Sequence, residues 1–76
     1  MRYKKHMMVE VFKTNIQRKR TAAKIKMELG LLFPDCKINF DLDDCDRILR
    51  IESAAAIGKQ IEDELNRKGF YCEELY

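Results

Sequence analysis

Met7, Val9 and Val11 alternate with Met8, Glu10 and Phe12 in the first apolar run, "MMVEVF". A period of two sends the sets to opposite faces of a strand. The charge on Glu10 assigns its own face to solvent and leaves Val9 and Val11 for the core. Thr14-Asn15-Ile16-Gln17 then has capping-box spacing, with Thr14 as N-cap and Gln17 reaching back. Ala22, Ile25 and Leu29 recur at steps of three and four, which predicts a helix to about Leu29, stopped by Gly30 and barred from continuing by Pro34. "CKINFDLDDCDRILRIES" reads as a hairpin: Ile38, Phe40 and Leu42 share one face, Leu49 and Ile51 share a face of the return strand, and "DDCD" supplies the turn. Ile57, Ile61 and Leu65 mark a second helix, opened by Ser53 or the small residues after it and ended by Gly69. "FYCEELY" closes the chain as a short strand.

The order βαββαβ predicts a ferredoxin-like α+β sandwich: a four-stranded antiparallel sheet of order 4-1-3-2 with two helices on one face. The expected core is Val9, Val11, Ala22, Ile25, Leu29, Ile38, Phe40, Leu42, Leu49, Ile51, Ile57, Ile61 and Leu65. The open sheet face is expected to carry Met8, Glu10, Phe12, Asn39, Asp41, Ile48, Arg50 and Glu52.

Composition narrows the class. Seventy-six residues, 46% hydrophobic and 37% charged, suit one small globular domain spanning 1–76 and argue against disorder. No run approaches the ~18 apolar residues of a membrane span. The basic-then-apolar start imitates a signal peptide, but Glu10 interrupts it and no small-residue cleavage site follows. The expectation is a cytoplasmic domain with no membrane partner. Cys36, Cys45 and Cys72 are an odd set at unpatterned spacings, which reads as reduced thiols.

The net charge of +2 hides an asymmetry: residues 1–38 hold ten Lys/Arg against three Asp/Glu, and residues 39–76 hold five against ten. Lys13, Arg18, Lys19, Arg20, Lys24 and Lys26 fall within fourteen positions that contain no acid. Cations in the first turns of a helix oppose its dipole, at a few tenths of a kcal/mol each. Such a cluster therefore points to an anion or an acidic partner surface, with charge-assisted hydrogen bonds from Arg18 and Lys19.

The order, the alternating Val9 and Val11, "Phe33-Pro34" before the second strand and the closing "LNRKGFYCEEL" resemble the heavy-metal-associated domain of copper chaperones and P-type metal ATPases, from about Met7 to Leu75. That family carries Met-x-Cys-x-x-Cys in its first loop, where thiolates hold a soft cation. Here the pattern falls on Lys13, Asn15 and Arg18, which supply no soft donor. The resemblance implies the family's loop retained as a partner-docking surface of Lys13, Thr14, Asn15, Arg18 and Lys19; the residues themselves lead to the expectation of no cofactor and no enzymatic activity. A metal carrier with non-standard ligands is the alternative. Cys36, Cys45 and Cys72 fall in separate places and do not converge on one ion.

Other chemistry is thin. "DLDDCDRILRIE" places Asp41, Asp43 and Glu52 at calcium-loop spacing, but Cys45 and Asp46 occupy positions that need an oxygen ligand and a glycine. The lone His6 and Ser53 form no catalytic pair, and there is no glycine-rich phosphate loop. RNA-recognition motifs share this element order but stack bases on strand aromatics. The third strand, "DRILRIE", has none, and an anionic face disfavours nucleic acid. A homodimer through the open sheet face or an edge strand stays open.

Overall fold

The computed structural model describes residues 7–75; His6 and Tyr76, the last residue of the expected closing strand, lie outside them. The elements are β1 (Met8–Thr14), α1 (Lys19–Leu32), β2 (Lys37–Asp41), β3 (Ile48–Ser53), α2 (Gly58–Arg67) and β4 (Cys72–Glu74). The strands are antiparallel in the order β2-β3-β1-β4, the predicted order read from the other edge. Ala22, Ile25 and Leu29 of α1 and Ile61 and Leu65 of α2 share one core with Ile38, Leu49 and Ile51. The fold is a ferredoxin-like α+β sandwich. None of the described helices is long and apolar enough to cross a membrane.

One face is inverted relative to expectation. Phe12 is completely buried in the core, while Val9 is 56% exposed and Val11 only half-buried. The register explains this. Phe12 lies opposite Leu49 and Glu10 opposite Ile51, the core-facing residues of β3, whereas Val9 and Val11 lie opposite Glu52 and Arg50. Both faces of β1 are apolar, so burial of the larger aromatic surface decides. Glu10 tolerates the helix side because its carboxylate accepts hydrogen bonds from the Ile57 and Gly58 N–H groups, each at 3.0 Å. Asn39, Asp41, Arg50 and Glu52 do lie on the open side, as does Ile48, which is nevertheless buried. Phe40 and Leu42 are half-buried against the core.

The ends of α1 also differ. Thr14 is the last residue of β1, and the helix begins at Lys19 with Arg18 at the cap, making no side-chain capping bond. The Thr14 hydroxyl instead donates to the Arg47 carbonyl at 2.6 Å and accepts the Ile16 N–H at 3.2 Å. That turn drives Ile16 into the core, where it is 1% exposed. Gly30 does not stop the helix, which runs to Leu32 and ends as Phe33 leaves the helical conformation, at φ −129° and ψ 70°, before Pro34. Ser53 ends β3 rather than opening α2, and Ile57 holds the cap position. Gly69, at φ +94°, does make the left-handed turn after α2.

Candidate functional site

The loop from β1 to α1 brings the five expected contact residues together but gives them different tasks. Lys13 projects from the open face and lies 3.9 Å from the Asp46 carboxylate in the β2–β3 turn. Thr14 is buried, and its hydroxyl is used up by its bonds to Arg47 and Ile16. The Asn15 side-chain oxygen accepts the Tyr71 N–H at 3.0 Å, tying the loop to the chain entering β4. Arg18 and Lys19 are left exposed at the start of α1. Thr14 and Asn15 are thus braces of the loop, and the charge left unpaired among the described residues sits on Arg18, Lys19 and the following Arg20.

The electrostatics of α1 are unusual. Its first turn has no acidic residue. Among the described residues, Lys19, Arg20, Lys24 and Lys26 form no ion pair; the helix's one link to another charged residue runs through its acid, Glu28, to Lys68 at 2.9 Å. Arg20 and Lys24 line a groove of about 540 Å³ between α1 and the end of α2, with Phe70 beside them. Sequence reasoning found the cations but not this groove, which depends on how the second helix is laid down.

The donors in the loop do not fit a soft metal cation: Lys13 and Arg18 are cations, and Asn15 has given its oxygen to Tyr71. The thiols lie apart, Cys36 before β2, Cys45 in the exposed hairpin turn, and Cys72 buried on β4. Burial, with Glu62 and Glu74 nearby, pushes the Cys72 thiol up to about 12, so it is a neutral thiol at physiological pH. Burial likewise raises Cys36 above its ordinary value. Asp44, Cys45 and Asp46 come close enough together to share an ion. The turn itself already accounts for them: Asp44 accepts the Asp46 N–H at 2.8 Å, and Asp46 faces Lys13.

A second cluster went unforeseen. Around the N-terminus of α2, Glu10 accepts two backbone N–H groups, Glu74 is hydrogen-bonded to Glu10, and the Glu62 carboxylate accepts the Glu74 N–H at 2.7 Å. Burial first, then the bond and charge of Glu10 and the charge of Glu62, raise the Glu74 carboxyl above 4.5. The only sequence signal was a glutamate in the middle of an apolar strand. Compared with protein-family models, curated proteins and solved structures, the chain finds no match.

Proposed function

We propose that this domain is a non-enzymatic protein-interaction or regulatory module of the cytoplasm. It is built on a plan like that of heavy-metal-associated domains, and its contact surface for an acidic protein or anion centres on Arg18 and Lys19. The observation that carries the reading is that, among the described residues, Lys19, Arg20, Lys24 and Lys26 crowd one helix without a paired carboxylate, while Lys13, Lys59, Arg67 and Lys68 are matched and the unmatched Lys37, Arg47 and Arg50 are spread over the β2–β3 hairpin. Cations at a helix start cost stability that Asp or Glu there would restore. The same helix end directs free N–H groups toward the loop, so an incoming carboxylate or phosphate meets both dipole and charge. Lys13, Thr14 and Asn15 belong to the surface as its support: they hold the loop to the hairpin turn and to β4.

The test is affinity capture from native lysate with the original domain and with Arg18→Glu/Lys19→Glu. The expected result is a bound set that is lost on charge reversal and weakens as salt rises through the range where the screening length is ~8 Å. Capture of the same proteins by both forms would overturn the proposal.

A further inference from the structure

The sheet has two edges, and only one is blunted. β4 spans three residues, two of them Glu73 and Glu74, so pairing it with a second β4 would set glutamate against glutamate. β2 is a regular five-residue strand without a bulge or proline, paired in unbroken register with β3.

That register fixes which backbone groups of β2 have no partner among the described residues. The Leu75 N–H donates to the Val11 carbonyl at 2.7 Å, so Val11 turns its main-chain groups toward β4, and Glu10 and Phe12 turn theirs toward β3. Leu49 and Ile51, opposite them, therefore bond β1, and Ile48, Arg50 and Glu52 bond β2. Their partners Asp41, Asn39 and Lys37 use their main-chain groups within the sheet. The N–H and carbonyl groups of Ile38 and Phe40 point outward.

We infer that the free β2 edge is a homodimerisation site, at which β2 of a second copy pairs antiparallel and joins two four-stranded sheets into one. The charge order of the strand selects both the partner and the register. With the two-fold axis between the two copies of Asn39, Ile38 of each chain exchanges hydrogen bonds with Phe40 of the other, using the four outward groups of each strand. The same register sets Lys37 of each copy opposite Asp41 of the other, on the open face that both residues already occupy. Centring the pair on Ile38 or Phe40 would set Asn39 against Lys37 or Asp41 and lose both ion pairs within the strand. Beside the edge, the short side chains of Ala22 and Ala23 leave an open cleft of about 340 Å³ against Phe40 and Leu42. Pairing covers the half-buried Phe40 from the side that faces this cleft.

The inference goes beyond the acidic-partner reading, and either can fail alone. Sedimentation equilibrium over a concentration series should give a dimer that dissociates on dilution. Lys37→Asp and Asp41→Lys each replace two attractive pairs by two repulsive ones and should weaken the dimer roughly tenfold or more. An equimolar mixture of the two variants restores opposite charges at all four positions, so it should form a heterodimer about as tight as the original homodimer. Both side chains are exposed, and thermal unfolding of each variant checks that the monomer fold survives. A domain that is monomeric at every concentration overturns the inference, as does a dimer that neither variant weakens or a mixture that fails to associate. Arg18→Glu, which disables the other surface, should leave the dimer unchanged.

Discussion

The two helices of this domain begin in opposite ways. At α2, the Ile57 and Gly58 N–H groups are accepted by Glu10, a residue of β1 almost fifty positions earlier. At α1, Arg18 stands at the cap with no side-chain bond, and Lys19 and Arg20 follow. A carboxylate complements the helix dipole and cations oppose it. The fold therefore uses a charge on the helix side of the sheet to fasten one helix start and leaves the other open and adverse. A difference of this kind separates an end that serves the fold from one available to a ligand.

The anchored end depends on the face that β1 turns toward the helices, so the largest effect tests that face. Phe12 is wholly buried between β1 and the helices, and Phe12→Ala should cost about 3–5 kcal/mol in urea unfolding. Val9→Ala, at a position 56% exposed, should stay within about 0.5 kcal/mol. A larger loss at Val9 than at Phe12 would mean that Val9 rather than Phe12 faces the core, and the Glu10 anchor would go with it.

Next comes the anchor itself. Glu10→Ala leaves two backbone N–H groups at the start of α2 without their acceptor, which should cost about 1–3 kcal/mol. Amide exchange at Ile57 and Gly58 should speed up, while the amides in the middle of α1 keep their protection. If Glu10→Ala loosens both helices alike, Glu10 supports the sheet generally and the contrast between helix starts disappears.

The same end carries a pH signature. Glu74 has its carboxyl raised above 4.5 by burial, by its bond to Glu10 and by the nearby negative charges of Glu10 and Glu62. The folded state therefore binds this proton more tightly than the unfolded chain does. The stability it contributes is complete below the unfolded value and is lost as pH rises through the folded one. Stability measured from about pH 4.5 upward should fall in the original domain relative to Glu74→Gln, whose uncharged amide removes the titration. Glu64 acts in the other direction: its bond to Arg67 lowers it, so its contribution fades as pH falls below 4.5. A difference between the original and Glu74→Gln that does not change with pH would mean that the Glu74 carboxyl is not raised in the folded domain.

The sequence carried the element order and the sheet order because Ala22, Ile25, Leu29 and Ile57, Ile61, Leu65 recur with an unambiguous helical period, and "NFDLDDCDRIL" brackets its turn. It did not carry the face of β1. Met8 and Phe12 match Val9 and Val11 in apolar character, and Glu10 marks solvent only if no helix N-terminus waits opposite it. Thr14 and Gln17 imitate a capping box, yet the Thr14 hydroxyl is worth more where it meets the Arg47 carbonyl, a contact made across the sheet. Gly30 looked like a stop and is a tolerated interior position at ~1 kcal/mol of lost propensity, although Leu31 and Leu32 beyond it are exposed. Of the candidate site, the cations were legible because charge does not depend on fold. The roles of Thr14 and Asn15 as braces, and the free groups of β2, follow from register, which only the folded sheet defines.

The smallest effect bears most directly on function. Arg18 and Lys19 are exposed and sit where the helix dipole favours negative charge, with no carboxylate of the described residues paired to Lys19 or Arg20. Reversing both residues to glutamate should raise stability by a few tenths of a kcal/mol to ~1 kcal/mol at low salt, and the gain should shrink as salt is added. A destabilisation instead would show that these side chains already have a structural anion within the domain, and the start of α1 would then serve the fold just as that of α2 does. A gain that accompanies lost binding has one physical reading: the sequence keeps two cations at a local cost because something outside the domain answers them.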